Sequence, residues 1–302
     1  MQPPFLAAFF AFSSTALWMS AAGLALLVIG LFAARNDIAR ARGLDRIVAL
    51  TNLCFAIPLA VFGAEHFSLG RSMLGLVPPY MPLRLSWIYF VGAALIIASL
   101  SIATKIQVRW SGLLFGIMMF LFVAMIHLPG AIKSGDRIIL TIVIREMSFG
   151  GGGLVLAGVA LGQLRGKNNV LITVGRVLIA IAAIFFGVQH FLQPYGVPVV
   201  PLAKQMPTWI PARAIIDYLT GAFLIVGGIC FLIVRKTRVA ATYLGTWILF
   251  LVVVYYGPML IGALANPSAQ AQLEGLNYFA DTLLFGATIL SLATIDGRVS
   301  AA

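Results

Sequence analysis

Apolar residues occur along this chain in long runs that short polar loops interrupt. Each run has about 20 residues or more, the length an α-helix needs to cross a hydrocarbon layer about 30 Å thick. The alternating segments typical of membrane β-strands are absent. The pattern therefore predicts an all-α polytopic membrane protein with nine spans, at 5–34, 46–69, 85–104, 110–132, 138–164, 173–193, 213–234, 240–264 and 275–295.

Composition and charge support this class of protein. The chain has 302 residues, of which 61% are hydrophobic and 10% charged, and its mean hydropathy is +1.04. Soluble domains carry roughly 25% charged residues. The net charge of +11 comes from basic residues spread through short loops, without a basic domain that could bind a nucleic-acid backbone. The lipid bilayer is therefore the predicted partner, and nucleic acid is not.

The basic residues also predict the orientation, because cytoplasmic loops carry an excess of Lys and Arg. Twelve lie on one side: Arg35, Arg40, Arg42, Arg46, Lys105, Arg109, Arg165, Lys167, Arg235, Lys236, Arg238 and Arg298. Six lie on the other: Arg71, Arg84, Lys133, Arg137, Lys204 and Arg213. We expect a multi-pass protein of the plasma (inner) membrane, with its N-terminus outside, its C-terminus cytoplasmic and its first span retained rather than cleaved.

A phrase near the end of the second span recurs later in the chain. "VFGAEHF" at 61–67 matches "FFGVQHF" at 185–191, an offset of 124 residues. Downstream, 77–96 matches 206–225 at an offset of 129, so the second loop has five additional residues. Four spans per copy give two units of the same orientation. The predicted divisions are 1–45 for an extra N-terminal helix and loop, 46–170 for the first unit and 171–302 for the second.

The ordered motifs resemble the DoxX-like family of membrane proteins. These are Gly-x-x-His-Phe, an outer loop with Val-Pro or Met-Pro, and Tyr-x-x-Gly-Ala opening the next span, once within 46–164 and again within 173–296. The resemblance implies a four-helix bundle per unit. Some members accompany membrane-bound sulfur or thiol oxidation linked to quinone, and distant relatives are cargo receptors. It implies an anchoring or accessory subunit with a redox partner protein.

Ionisable side chains inside spans are costly, so they usually face the bundle interior and have partners there. The candidates for a polar cavity in the first unit are Glu65, His66, Tyr89, His127, Arg145 and Glu146. Their second-unit equivalents are Gln189, His190, Asp217, Tyr218, Tyr256 and Asp281, with Tyr256 in place of His127 and Asp281 roughly in place of Glu146. We expect the first set to converge, with Arg145 pairing with a carboxylate.

Three interpretations of these groups stay open. A metal or haem is disfavoured, because His66 and His127 lack a ligand spacing and the second unit has lost one of them; no metal site is predicted. A quinone head group would use a histidine and a carboxylate as a proton relay. The sequence favours a structural role, in which the groups satisfy one another. No catalytic residue is assigned, and non-redox small-molecule or lipid binding, reception or transport is the alternative function.

Small residues in the fifth span have a structural interpretation. The run "FGGGG" at 149–153 follows no strand and lacks the Gly-Lys-Ser/Thr of a phosphate-binding loop. Small side chains in membrane helices let neighbouring backbones approach closely. The run therefore predicts tight helix packing around the fifth span. Cys54 and Cys230 lie in apolar spans and are expected to behave as small hydrophobic residues.

Overall fold

The computed structural model describes residues 12–165, 169–200, 204–234 and 236–295, with backbone alone at 163–165. Within this part of the chain, nine helices are long and apolar enough to cross a membrane. The predicted all-α polytopic membrane fold is confirmed. The helices are α1 Ser14–Arg40, α2 Thr51–Leu69, α3 Arg84–Thr104, α4 Val108–Ser134, α5 Arg137–Arg165, α6 Val170–Leu192, α7 Arg213–Leu232, α8 Thr237–Leu264 and α9 Ala269–Ser291.

Helix boundaries follow local signals that the hydropathy pattern does not capture. The last helix begins at Ala269, six residues before the predicted span, because the Ser268 side chain accepts a hydrogen bond from the Ala271 backbone N–H and caps it. The predicted start of the first span, at residue 5, lies outside the described residues. So do three of the basic residues used for orientation, Lys167, Arg235 and Arg298, together with the side chain of Arg165. The orientation stays a prediction.

The helices α2 to α9 form a closed ring. Each packs against the next in sequence, α9 returns to α2, and α5 and α9 also contact each other inside the ring. Helix α1 lies outside the ring, mainly against α2. The first and fourth helices of each half pack against the other half as well as their own: α2 also contacts α9, and α6 also contacts α5. The two halves are therefore interlocked rather than joined only by a linker.

Residues that the sequence comparison pairs make matching contacts in the two halves. A methyl group at Gly63 would lie 3.0 Å from the Gly92 carbonyl oxygen, and one at Gly187 would lie 2.8 Å from the Gly221 carbonyl oxygen. Both distances are too short for a side chain to be accommodated without movement. Glycine is therefore required at both crossings, where the first and second helices of each half approach most closely.

The two halves also share an irregular feature in their third helix. Helix α4 widens into a turn at Val123–His127, and α8 widens at Val252–Tyr256. Each wide turn is followed two residues later by a proline, which cannot donate the backbone hydrogen bond that a regular helix would require. Such turns are often found at functional sites. Here they direct His127 and Tyr256 towards corresponding places in the two halves.

In the fourth helices the matching contacts have a different offset. Gly116 packs against Leu154 of α5, and Gly245 packs against Leu290 of α9. The two glycines are 129 positions apart in the chain, whereas their leucine partners are 136 positions apart. The seven additional residues precede the middle of α9 and correspond to about two helical turns, so the same face is kept.

This packing offset differs from the offset on which the predicted pairing of Asp281 rests. The sequence places Asp281 roughly at the position of Glu146, whereas the packing pairs Asp281 with Arg145. Glu146 then corresponds to Thr282. The difference arises because the additional residues precede the middle of α9 and lengthen its N-terminal part. A sequence comparison that keeps the offset of 129 found for α8 does not detect them.

Candidate functional site

A cavity of about 430 Å³ lies in the first half of the protein, within the size range of small-molecule sites. Helices α2, α3, α4, α5 and α9 surround it, and the loop between α2 and α3 covers one end. Its wall is mainly apolar and aromatic. The polar side chains that line it are Glu65, His66, His127, Arg145, Glu146, Asn277 and Asp281. Five of the six first-unit candidates therefore meet at one cavity.

His127 and Glu146 form the central polar pair of the cavity. The His127 Nε2 atom lies 3.1 Å from Glu146 Oε1, and both side chains are largely buried. The wide turn of α4 places the imidazole, and the third turn of α5 places the carboxylate. Glu146 Oε2 is buried and has no hydrogen-bond partner among the described residues. Its hydrogen-bonding capacity is therefore unused, in a residue that lines the cavity.

Arg145 joins the two halves through an ion pair. Its Nη1 atom donates to Asp281 Oδ2 on α9, and its guanidinium also lies 5.8 Å from the ring centre of Phe149. Arg145 Nε is buried and has no partner among the described residues. An arginine facing lipid would be uncompensated, whereas this one lies against a carboxylate inside the ring of helices.

Glu65 is also held by the second half. Its Oε1 atom accepts a hydrogen bond of 3.0 Å from Asn277 Nδ2 on α9, while Asn277 Oδ1 has no partner among the described residues. The sequence analysis did not single out Asn277. The signal was present, because Asn277 precedes Asp281 by four residues and so lies on the same helix face.

The His66 ring has a defined proton position. Its Nδ1 atom lies 2.8 Å from the Phe62 carbonyl oxygen. A carbonyl only accepts hydrogen bonds, so Nδ1 must carry the proton and donate it. In the neutral ring Nε2 is then an acceptor, in a side chain that lines the cavity. His66 therefore presents an acceptor to a ligand.

Tyr89 does not belong to the cavity. Its ring stacks on Phe67 with the ring centres 5.8 Å apart and is 37% exposed on the outer surface of the helices. Tyr218 of the second half stacks on Phe191 in the same way, at 5.6 Å. Both tyrosines were expected near the polar clusters. They face outward because the first and second helices cross at glycines, where each tyrosine packs against the outer side of the crossing.

The cavity opens sideways between α3 and α4. At one end these helices are tied together by the hydroxyls of Ser101 and Ser111, 2.8 Å apart. At the other end Trp87, Phe90 and Leu121 both line the cavity and are exposed on the outer surface. At this end, residues of the cavity wall therefore form part of the outer surface of α3 and α4, the surface that a bilayer would cover.

In the described part of the second half, buried side chains occupy the place that corresponds to this cavity. His190, Asp217 and Tyr256 are buried there, at 0%, 0% and 1% exposure. His190 Nδ1 lies 3.0 Å from Asp217 Oδ1. Gln189 instead faces α5 and accepts a hydrogen bond of 2.9 Å from Arg137 Nη1. The second-unit candidates are thus divided between a buried hydrogen bond of His190 with Asp217, the buried Tyr256, a contact between halves, the Arg145 pair and the outward-facing Tyr218.

Comparison with known proteins gives no match: no protein-family model, no curated protein and no solved structure is similar to the chain. Within the described part of the chain, no three His, Cys, Asp or Glu side chains are grouped so that they could hold a metal ion. The fold and the cavity therefore define a polytopic helical membrane protein with a polar-ended cavity that opens towards lipid.

Proposed function

We propose that the cavity binds the head group of a quinone or quinol that enters from the bilayer. The chain would then be a DoxX-like subunit of the plasma (inner) membrane that serves a quinone-linked thiol or sulfur oxidation carried out with a redox partner protein. The observation that carries this proposal is the combination of a lipid-facing opening with an inner end rich in hydrogen-bond acceptors.

The shape and wall of the cavity suit an amphipathic ring with an apolar tail. Its wall includes five methionines, whose flexible side chains adapt to irregular ligands; they are Met73, Met81, Met118, Met119 and Met125. Aromatic side chains at the opening, Trp87 and Phe90, provide faces for a ring or an isoprenoid chain. A tail can leave between α3 and α4 and stay in lipid.

The polar end suits a group that donates hydrogen bonds. Two buried acceptor atoms there, Glu146 Oε2 and Asn277 Oδ1, have no partner among the described residues, and His66 Nε2 is a third acceptor. Reduction of a quinone takes up two electrons and two protons; the partner protein would supply the electrons. His127 and Glu146, 3.1 Å apart, are placed to hold and pass the protons, because an imidazole and a carboxylate can each take up and release a proton.

The proposal includes a tandem duplication. The matched glycine crossings, wide turns and stacked tyrosines support two related units of the same orientation. Each unit has four spans, an even number, so a duplication preserves orientation without further change. Only the first unit would then carry an open site.

A second candidate function is non-redox binding of a lipid or another small molecule, with a role in reception or transport. The sideways opening supports this second function as well as it supports quinone binding, because any amphiphile with one small polar end can use such an entry.

The test is quinol binding to the purified protein in lipid nanodiscs. Quenching of tryptophan fluorescence by a short-chain benzoquinol reports on the cavity, because Trp87 lines it. Glu146→Gln should weaken binding about tenfold, because a hydrogen bond to a charged group is lost. Glu65→Gln is the matched control and should change binding less than about threefold, since its oxygen is already used by Asn277.

Saturable binding that responds to Glu146→Gln would support the proposal. Absence of binding, or equal effects of both substitutions, would overturn the quinone site. An organic extract of the protein that contains a stoichiometric phospholipid or fatty acid and no quinone would instead support the second candidate function.

A further inference from the structure

The place in the second half that corresponds to the cavity is filled by the protein's own chain. The loop after α6 turns inward, and Val197, Val199 and Val200 are buried, at 0%, 0% and 4% exposure. This is the loop with five additional residues. The first-half loop, by contrast, only covers the end of its cavity. The additional residues therefore provide the length with which the second loop reaches into the bundle.

A single peptide group of this loop meets the polar end. The Val199 N–H donates to His190 Nε2 over 3.0 Å, and the Tyr256 hydroxyl donates to the Pro198 carbonyl oxygen. Both atoms belong to the peptide group that joins Pro198 to Val199. The counterparts of His190 and Tyr256 are His66 and His127, and both of these line the open cavity. The peptide group thus occupies the position that lies empty between the two histidines.

The inserted loop is anchored by a residue that the first half lacks. Asp217 holds His190 through Oδ1 and accepts a hydrogen bond of 2.6 Å from the Tyr195 N–H through Oδ2. Its counterpart in the first half is Ile88, an apolar residue of the cavity wall. A carboxylate at this position therefore fixes both the imidazole and the start of the loop.

The sideways opening is closed in the second half as well. The Trp247 Nε1–H donates to Thr220 Oγ1 over 3.1 Å and so bridges α8 and α7. The counterparts of these residues are Met118 and Val91, which line the open cavity. A large indole and a hydroxyl here replace two apolar side chains, and the bridge they form blocks the path that lipid-soluble molecules have in the first half.

We infer that the second half contains a closed copy of the cavity, in which the Pro198–Val199 peptide group takes the place of the ligand's polar group. Removing the inserted loop and the Trp247 bridge opens a second site for the same class of ligand. The identity of that ligand rests on the proposed function; the existence of the closed cavity does not.

The internal peptide group also specifies the ligand chemistry. Its N–H donates to the His190 imidazole, and its carbonyl oxygen, two bonds away, accepts from the Tyr256 hydroxyl. A quinol hydroxyl can donate to His66 Nε2 as the Val199 N–H donates to His190, whereas a quinone has only acceptors. The first-half cavity therefore binds the quinol form more tightly than the quinone form.

The test opens the closed cavity with first-half sequence. Residues 194–206 are replaced by residues 70–77, and Trp247→Met is added. Titration with a short-chain benzoquinol in nanodiscs should show one equivalent bound to the natural chain and two to the opened protein. Val91→Trp, which fills the first cavity, should lower each value by one. An opened protein that keeps its melting temperature and still binds one equivalent overturns the shared ligand class.

A second measurement does not depend on quinol. Tyr256→Cys, in a chain that carries Cys54→Ala and Cys230→Ala, is labelled with a lipid-soluble maleimide. Labelling should be more than about tenfold faster in the opened protein, because the buried position becomes accessible. An unchanged rate overturns the closed cavity. Faster labelling without quinol binding by any variant supports the closed cavity and overturns the proposed function.

A milder variant tests the same inference in case the protein with the replaced loop does not fold. Val197→Ala, Val199→Ala and Val200→Ala together shrink the inserted side chains but keep the loop length. Labelling at position 256 should rise in this variant too, and a folded variant with an unchanged rate counts against the inference.

Discussion

At the scale of single residues, the ion pair of Arg145 and Asp281 has a particular position. By the offset of the glycine contacts these two positions correspond in the proposed duplication, so each position contacts its own equivalent. Two arginines or two aspartates there would repel each other at a distance of one hydrogen bond. Under the proposed duplication, the two copies would therefore have to differ at this position.

We predict that Arg145→Met destabilises the protein by about 3–5 kcal/mol, because it leaves the Asp281 carboxylate buried and unpaired. The double variant Arg145→Met with Asp281→Leu should recover most of that loss, since no charge is left without a partner. Equilibrium unfolding in mixed micelles measures both. As a control, Asp37→Asn breaks the exposed pair with Lys105 and should cost less than about 1 kcal/mol. Equal loss in the single and double variants would contradict the prediction.

At the scale of helices, the glycine run of α5 explains how one helix packs on several sides. Successive residues of a helix point about 100° apart, so the run 149–153 meets a different neighbour at each position. It lies against Phe120 and Gly112 of α4, Gly175 of α6 and Thr288 of α9. The close helix approach expected from the sequence is confirmed. Helix α5 is thereby held closely against α4, α6 and α9, and it presents Glu146 to the cavity.

Substitution within this run should show how tight the packing is. In Gly153→Ala the new methyl group would lie 2.6 Å from the Gly112 carbonyl oxygen, and we expect a loss of about 1–3 kcal/mol. Gly162→Ala in the same helix is the matched control. Nothing lies within 4 Å of its added methyl group, so it should stabilise the helix by up to about 1 kcal/mol. Thermal unfolding in detergent compares them; a tolerated Gly153→Ala would mean that α4 can move away.

At the scale of the whole molecule, the two halves are interlocked and both contribute residues to the cavity. The first half supplies the opening and most of the wall, while Asn277 and Asp281 of the second half complete the polar end. The second half, with its own cavity filled, acts as the fixed support against which the first half is held. Loss of the second half would therefore be expected to remove the polar end of the site together with its support.

The distribution of basic residues predicts how the whole molecule is oriented in its membrane. A reporter enzyme fused after Ala302 should be active in the cytoplasm, and one inserted in the loop at 194–212 should be exported, because twelve basic residues lie on one side and six on the other. Phosphatase and fluorescence reporters measure the two locations. Reversal of both results would show that the distribution of charge does not set the orientation of this chain.

Much of the architecture follows from the sequence because the bilayer imposes it. Lipid offers no hydrogen bonds to a polypeptide backbone, so each long apolar run must be a helix, and nearly every span is recovered within a few residues. The same constraint explains why the buried polar residues could be selected in advance. Charge is costly in lipid, so Glu65, His66, His127, Arg145 and Glu146 had to face the interior.

Which of these groups meet, and which half holds an open cavity, depended on packing between residues far apart in the chain. Glu65 contacts Asn277 across 212 positions, and Tyr89 points outward because of the angle at which two helices cross. The five additional residues were visible in the sequence, but their inward path was not, because a loop's course depends on the space its neighbours leave. The hydrophobicity of a segment depends on its residue types and can be read from the sequence. The complementary shapes of packed helix surfaces arise only when the helices are assembled.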